Sequence, residues 1–247
     1  MLPTPESLNS AALNSAVLNS AASKAVLRKQ LRQKRAAFSP AERHTAGRQL
    51  VRLALHHRLL ARHRRIGFYM PAKNEIDVLP LLRTALRMGV VCYLPVVPRR
   101  ALVSARRHKL WFTRLTGSQN ILAPNHPAWI NNRYDIPEYL PRAARRIRSH
   151  QLDLLFMPML GFDRQGSRIG MGGGYYDASL AHLTGARTQR LIWRRPRLIG
   201  VAFSVQEVSR APHDPWDVPL NGILTERAFH RVPSPPAHRA DDLPNAF

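Results

Sequence analysis

Apolar positions between residues 24 and 60 recur at helical spacing and predict two helices. The apolar side of the first helix is marked by Val26, Leu27, Leu31 and Phe38. That of the second is marked by Leu50, Leu53, Leu55 and Leu59. Ser39 separates the two, with Pro40 directly after it and Glu42 three residues on. A serine cap, a proline in the first turn and a glutamate at this spacing are typical of a helix start.

Four uninterrupted apolar runs predict buried strands, at residues 66–71, 90–97, 152–160 and 198–203. A helical pattern from Leu79 to Met88, stopped by Gly89, separates the first two runs. Such alternation favours an α/β fold, with a largely parallel sheet covered on both faces by helices. The stretch from Pro98 to His150 has scattered aromatic, Pro and Asn residues and gives no clear pattern.

The two ends of the chain differ in composition from its centre. Residues 1–23 repeat Leu-Asn-Ser-Ala with little change, which predicts a low-complexity, mobile N-terminal tail. Residues 231–247 are rich in Pro and polar residues, and we expect a loose C-terminal tail there. Residues 24–230 then form one domain, which suits a chain of 247 residues.

The targeting signals, the length of the apolar runs and the number of cysteines limit where the protein could be located and which stabilising sites it could have. The first basic residue is Lys24, and Asn and Ser interrupt the apolar positions before it, so no signal peptide is indicated. No apolar run reaches the roughly 18 residues needed to span a bilayer. A single cysteine excludes a disulfide framework and a thiolate zinc site. We therefore expect a cytoplasmic protein without membrane contact.

The net charge of +23 is the most unusual number, because such a chain attracts phosphate polyanions. Only five of the 38 basic residues are lysines, and the arginines spread from Arg28 to Arg239 without forming one stripe. A general drift toward Arg and Ala produces this pattern without a partner. No specific nucleic-acid partner is expected, although a nucleic-acid-binding protein remains an alternative hypothesis.

A glycine-rich segment carries the clearest chemical signal. Four of the 13 glycines, Gly170, Gly172, Gly173 and Gly174, lie between a predicted strand and a helical pattern at residues 176–183. Glycines there let backbone N–H groups converge on a small anion at a helix N-terminus, which is typical of phosphate sites. Arg168 would add a forked cationic donor, and Asp177 could hold a divalent cation that bridges phosphate oxygens.

Two familiar nucleotide motifs do not fit this segment. No Gly-Lys-Ser/Thr follows the glycines, which excludes a Walker loop, and Tyr175 occupies the third glycine position of the dinucleotide fingerprint. A glycine turn that serves backbone geometry alone stays open as an alternative. Tyr175 and Tyr176 could equally flank a ligand or pack the loop.

Four ordered blocks together resemble the 5-formyltetrahydrofolate cyclo-ligase family, also called 5,10-methenyltetrahydrofolate synthetase. The most specific is Arg-Ile-Gly-Met-Gly-Gly-Gly-Tyr-Tyr-Asp at 168–177. The others are Lys-Ala-Val-Leu-Arg at 24–28, followed by Ser-Pro-Ala-Glu-Arg at 39–43, then residues 69–77, and 212–220 through 226. The resemblance covers most of the chain, from about Lys24 to Glu226.

The resemblance implies a single three-layer α/β domain of the NagB/RpiA/CoA-transferase-like type. It implies a ligase of one-carbon folate metabolism that uses ATP and Mg²⁺ to close 5-formyltetrahydrofolate to 5,10-methenyltetrahydrofolate. ADP and phosphate are released after the formyl oxygen is phosphorylated. The expected partners are these small molecules, and we expect a monomer.

The resemblance also implies roles for particular residues. The expected ATP contacts are Lys24, Arg28, Arg168, Ile169, Gly170, Met171, Gly172, Gly173, Gly174, Tyr175 and Tyr176, with Lys24 and Arg168 also catalytic. The expected folate contacts are Met70, Glu75, Gly172, Gly173, Gly174 and Tyr175. Glu75 would anchor the polar edge of the pterin through its N–H donors, and Asp177 and Asp217 would bind Mg²⁺.

Several positions depart from the usual family pattern, namely Asp135, Tyr139, Ala178, Trp216 and Asn221. None of them carries a role assigned above. They motivate one more alternative, a nucleotide-binding paralogue with another substrate. Two polar residues also have structural interpretations, because Asp77 could cap the helix that follows it and His213 beside Asp214 could be a loop pair.

Overall fold

The computed structural model describes residues 24–98, 109–116, 119–122, 126–141, 145–183, 195–214 and 216–233. The predicted tail at 1–23 lies outside the described residues, as does 234–247 of the predicted C-terminal tail. Arg231 still belongs to a strand and Val232 is buried, so the fold extends at least to that residue.

The helices lie close to where the sequence predicts them. Their bounds are residues 24–36 for α1, Pro40–His56 for α2, Leu79–Arg87 for α3 and Tyr175–Leu180 for α4. Ser39 caps α2 in the predicted way, because its hydroxyl accepts from Glu42 N and the Glu42 carboxylate accepts from Ser39 N. Asp77 Oδ1 accepts from Leu79 N at the start of α3, which supports its capping interpretation.

Twelve strands are described in the resolved ranges. They are β1 (Arg65–Gly67), β2 (Val91–Val96), β3 (Trp111–Arg114), β4 (Trp129–Asn131), β5 (Pro137–Tyr139), β6 (Arg146–Ile147), β7 (Leu154–Pro158), β8 (Gly161–Phe162), β9 (Arg168–Ile169), β10 (Arg197–Val201), β11 (Gly222–Leu224) and β12 (Phe229–Arg231). Each of the four predicted strands is present, although all four are shorter than their apolar runs, β1 and β7 most of all.

Eight of these strands form one sheet in the order β12-β11-β10-β7-β1-β2-β3-β6. The five central strands, from β11 to β2, pair in parallel. The outer strands β12, β3 and β6 pair antiparallel to their neighbours. The predicted α/β fold with a largely parallel sheet is therefore confirmed, with antiparallel strands added at both edges.

Alternate residues of β7 face opposite sides of the sheet, as strand geometry requires. Leu154 and Phe156 pack in the core beneath α2 and α3, whereas Leu155 and Met157 pack in the core on the other face. The helix α1 has a separate contact, in which Leu31 packs against Ile169 of β9. None of the described helices combines the length and apolar character that a bilayer span requires.

Candidate active site

A cavity of about 560 Å³ opens where the central parallel strands end. Its floor includes Tyr69 after β1, Val97 after β2 and Pro158 at the end of β7. In open parallel sheets, ligands bind at this carboxyl edge. Every site residue named from the sequence lines this one cavity: Lys24, Arg28, Met70, Glu75, Arg168, Ile169, Gly170, Met171, Gly172, Gly173, Gly174, Tyr175, Tyr176, Asp177 and Asp217.

The glycine loop runs from β9 to α4 along one wall of the cavity. Gly172 has φ +103° and Gly174 has φ +65°, which are backbone conformations that residues with a Cβ rarely adopt. A Cβ at either position would meet no atom within 4 Å, so the backbone shape rather than space selects glycine there. The loop is thus built for backbone geometry, and it also presents that backbone to an open cavity.

The helix after this loop is shorter than the sequence predicts. α4 ends at Leu180, and the rest of the predicted helix is the 3₁₀ turn Ala181–Leu183. A six-residue helix has a small dipole, and no side chain caps it. Cationic side chains must therefore supply most of the positive charge for a phosphate ligand.

Three such cations come from α1, where they recur at helical spacing on one face. Lys24 and Arg28 line the cavity, and Arg35 lies behind it. Arg28 Nε donates to Gly170 O at 3.1 Å, which holds the glycine loop against α1. Lys24 Nζ donates to Asp214 Oδ2 at 2.6 Å and lies 4.0 Å from Asp217 Oδ2.

A fourth cation, Arg168, is buried beside the mouth of the cavity. Its guanidinium donates to Asp177 Oδ1 and to Val218 O. The Arg168 side chain is only 7% exposed, whereas Asp177 is 40% exposed. Lys24 and Arg168, the two cations with an expected catalytic role, are thus each paired with a carboxylate that faces the same cavity.

The possible metal ligands are Asp177 and Asp217. Asp217 Oδ2 accepts from Asp214 N at 2.9 Å, which fixes the orientation of this carboxylate within its loop. Among the described residues no three His, Cys, Asp or Glu side chains cluster as a metal cage. Mg²⁺ commonly binds through one or two carboxylates plus phosphate oxygens, so two carboxylates in a cavity that also has a glycine loop and basic side chains fit that ion.

The opposite end of the cavity is more enclosed. Glu75 is 8% exposed, and its Oε2 accepts from Ala72 N at 2.9 Å. Burial raises the pKa of the Glu75 carboxyl, while the Ala72 hydrogen bond and the Arg35 guanidinium oppose that rise. Burial also raises the pKa of Tyr69 and Tyr176, and the charge of Glu75 raises both further. These two phenols therefore remain neutral at ordinary pH.

A hairpin that sequence reasoning missed forms the remaining wall. β4 and β5 bring Asn132, Tyr134 and Glu138 to the cavity. The hydroxyls of Tyr134 and Tyr175 lie 2.8 Å apart, and Arg133 donates to the Tyr175 hydroxyl. Tyr175 thus both lines the cavity and joins the hairpin to the glycine loop.

Sequence reasoning also missed Arg35 and the role of Asp214. Arg35 lies seven residues after Arg28, the helical spacing that could have revealed it. The sequence indicates that Asp214 could form a loop pair with His213, whereas in the structure the Asp214 carboxylate accepts a hydrogen bond from Lys24 Nζ. The spacing of Asp214 from Asp217 within one short loop was the only local signal for it.

An α/β chain whose carboxyl-edge cavity combines a glycine loop, basic side chains and paired carboxylates is typical of an enzyme that acts on phosphorylated ligands. The particular family follows from sequence comparison. The chain belongs to the 5-formyltetrahydrofolate cyclo-ligase family, whose family model matches residues 20–226.

Relatives named as 5-formyltetrahydrofolate cyclo-ligases align with most of the chain. A 5-formyltetrahydrofolate cyclo-ligase from Haemophilus influenzae is 29% identical over 200 residues, which are 80% of this chain and 95% of the relative. One from Escherichia coli K12 is 28% identical over 198 residues, 79% of this chain and 96% of the relative. The NMR structure of Aquifex aeolicus 5,10-methenyltetrahydrofolate synthetase has a TM-score of 0.63 at 25% identity, and the match covers 89% of this chain and 97% of that one.

Proposed function

We propose that the cavity described above is where this chain, a 5-formyltetrahydrofolate cyclo-ligase by family, uses ATP to form 5,10-methenyltetrahydrofolate. One observation carries the proposal. All the residues for which the family resemblance implies a role, which come from four separate stretches of sequence, line this single cavity. ATP and the folate would therefore bind side by side, as transfer of a phosphoryl group between them requires.

The reaction has a specific chemical difficulty, because a formamide carbon is a poor electrophile and its oxygen a poor leaving group. Transfer of the γ-phosphoryl group breaks its bond to ADP and forms a bond to the formyl oxygen. The folate N10 then attacks the formyl carbon, loses its proton, and expels the oxygen as inorganic phosphate. Such a sequence needs positioning and charge neutralisation rather than a covalent protein nucleophile.

The basic end of the cavity supplies that neutralisation. Lys24 and Arg168 would contact the phosphates directly, and Arg28 would do so from beside Gly170. Both Lys24 and Arg168 have carboxylate partners in the same cavity, so polyphosphate binding would exchange a carboxylate for a phosphate oxygen. The glycine loop would add backbone N–H donors at no cost in side-chain ordering.

We infer that Asp177 and Asp217 hold Mg²⁺ when ATP is bound. When bound, the ion would neutralise charge on the phosphate oxygens. Asp177 would then leave Arg168, which would be available for phosphate, whereas Lys24 would exchange its 2.6 Å contact with Asp214 for a phosphate oxygen.

The enclosed end of the cavity would take the pterin. Glu75 presents a carboxylate to the parallel N–H donors of the pterin edge, and Met70 offers an apolar contact to the ring. Because Tyr69 and Tyr176 stay neutral, the carboxylate is the acceptor best matched to those donors. Tyr175 would contact ligand from the side on which the hairpin closes the cavity.

The comparisons give no support to a nucleic-acid-binding protein or to a paralogue with another substrate. We also predict that the protein is a monomer, which size-exclusion chromatography with light scattering would test. We predict a cytoplasmic location as well, which cell fractionation would test.

The direct test mixes the purified chain with ATP, Mg²⁺ and 5-formyltetrahydrofolate and follows the absorbance of methenyltetrahydrofolate. We expect one ADP and one phosphate for each product formed, and no product when ATP is omitted. Intact nucleotide binding without product would overturn the proposal in favour of the paralogue.

A further inference from the structure

Arg35 occupies an unusual position for a charged side chain. It extends from α1 into the interior, where its side chain is 7% exposed. Its Nη1 lies 3.4 Å from Glu75 Oε1 and 3.9 Å from Met171 Sδ in the glycine loop. Its Nε is buried and has no hydrogen-bond partner among the described residues. A guanidinium held so far from water needs an anionic partner, and Glu75 is that partner.

Arg35 does not itself face the large cavity. It lines a much smaller adjoining space, together with Tyr69, Pro158 and Gln206. Glu75 borders both spaces and stands between Arg35 and the site where the pterin would bind. Arg35 therefore acts on the substrate site indirectly, and its charged contact with that site is Glu75.

We propose that Arg35 is a positioning residue that keeps the Glu75 carboxylate ionised and aimed at the pterin. The proposal rests on the role given to Glu75 under the proposed function. Two contacts orient this carboxylate from opposite sides, since Oε2 accepts from Ala72 N and Oε1 faces Arg35. Only an ionised carboxylate offers both oxygens purely as acceptors, which two adjacent N–H donors require.

The electrostatic surroundings make Arg35 decisive. Burial, the largest influence, raises the pKa of Glu75; the Ala72 hydrogen bond and then the Arg35 guanidinium, the cation that faces Glu75 among the described residues, oppose that rise. The other titratable groups that face Glu75 are Tyr69, after β1, and Tyr176, on α4. Both are neutral and cannot replace a positive charge. Loss of Arg35 would therefore raise the pKa of Glu75 further, toward the range in which the enzyme works.

The experiment measures the affinity of the purified chain for 5-formyltetrahydrofolate by calorimetry, without ATP, as a function of pH. Arg35→Met removes the charge and keeps an apolar stem. In that variant Glu75 is ionised only above its raised pKa, so affinity is lost as pH falls through that value. We expect the midpoint of the acidic limb to move to higher pH, and well below the midpoint each unit of that rise lowers the affinity about tenfold. At higher pH the affinity should return toward that of the unmodified chain.

Two variants serve as comparisons. Arg35→Lys retains a cation without the fork, and its midpoint should lie between those of the unmodified chain and Arg35→Met. Arg32→Met removes an exposed arginine from the same helix and should leave the midpoint unchanged. A purely structural role for Arg35 would lower stability in both Arg35 variants without moving any midpoint.

Removal of one member of a buried ion pair can prevent folding. Thermal unfolding of each variant therefore accompanies the titration. If Arg35→Met does not fold, Arg35→Gln carries the same test, because it removes the charge but keeps a donor toward Glu75. An unshifted midpoint in the folded neutral variant would overturn the inference.

Glu75→Gln distinguishes this inference from the proposed function. Weak binding that no longer depends on pH is expected, because the amide does not titrate. Unchanged folate affinity in Glu75→Gln would overturn the role of Glu75 itself. Weak binding in Glu75→Gln together with an unshifted Arg35→Met profile would overturn only the role of Arg35.

Discussion

The substitution Asp177→Asn separates a metal-binding role from a structural one. It keeps the shape of the side chain and removes one negative charge from the mouth of the cavity. Asp177 is 40% exposed, and its partner is the buried Arg168. Ion pairs of which one member is this exposed contribute about 0.2–1 kcal/mol to stability. Arg168 keeps its bond to Val218 O, and the asparagine amide oxygen can still accept.

Because Asp177 is partly exposed and Arg168 keeps acceptors in Val218 O and the asparagine amide oxygen, we expect a cost of about 1 kcal/mol, below the about 3–5 kcal/mol of breaking a fully buried pair, and a Tm lower by about 2–4 °C. The expected cost in activity is much larger. Loss of an outer partner of a metal ligand already costs about 10–100-fold, so loss of a ligand should cost at least about 100-fold in kcat/KM. That factor corresponds to about 2.7 kcal/mol of transition-state stabilisation. The imbalance between the two costs is the diagnostic feature.

The assay follows methenyltetrahydrofolate formation over a Mg²⁺ titration, with ADP affinity measured by calorimetry with and without Mg²⁺. In Asp177→Asn we expect the enhancement of ADP affinity by Mg²⁺ to shrink and part of the rate to return at high Mg²⁺. Asp153→Asn is the matched control, because Asp153 pairs with Arg65 at the opposite end of β7. Unmodified rates and an unchanged Mg²⁺ dependence in Asp177→Asn would refute the metal assignment.

Three further predictions concern the backbone and the core. Gly172→Ala should weaken ADP binding because φ there is +103°, a backbone conformation that alanine rarely adopts; an unchanged calorimetric affinity would contradict a role for the backbone of the loop. Burial raises the pKa of Cys92 to about 12, so iodoacetamide at mildly alkaline pH should label this thiol only after denaturation; labelling of the native chain would contradict its burial. Gly47→Ala should lower the free energy of unfolding, measured in urea, by about 1–3 kcal/mol, because the new Cβ would lie 2.5 Å from Asp77 O. This loss is expected although alanine has the better helix propensity. A more stable variant would show that α2 and α3 separate easily.

The parts of the fold that the sequence predicted have local causes. The start of α2 depends on Ser39, Pro40 and Glu42, which interact with one another. The central strands are buried on both faces, so their apolar runs are continuous. The antiparallel edge strands were missed because they are two to four residues long and carry polar residues, as in Arg146–Ile147 of β6. Their pairing depends on neighbours distant in sequence, which no local pattern records.

The residues of the candidate site also include some that a local sequence pattern predicts and others that only the tertiary fold brings to the site. The glycine loop and its flanking Arg168 and Asp177 form one contiguous motif in the sequence, and these residues line one cavity. The spacing of Arg35 from Arg28 indicates a shared face of α1, but the sequence does not show that Arg35 is buried against Glu75. Asp214 could not be paired with Lys24, because 190 positions separate them and tertiary folding alone brings them together.

That separation has a consequence for how the protein is made. The ion pair between α1 and the loop before β11 joins one of the first described residues to one of the last. On the ribosome, Lys24 is synthesised 190 residues before Asp214, so the ion pair cannot form until that intervening segment has been made. A nascent chain therefore has no complete nucleotide pocket before Asp214 has been synthesised, and ligands can rescue a slow-folding variant only after that point.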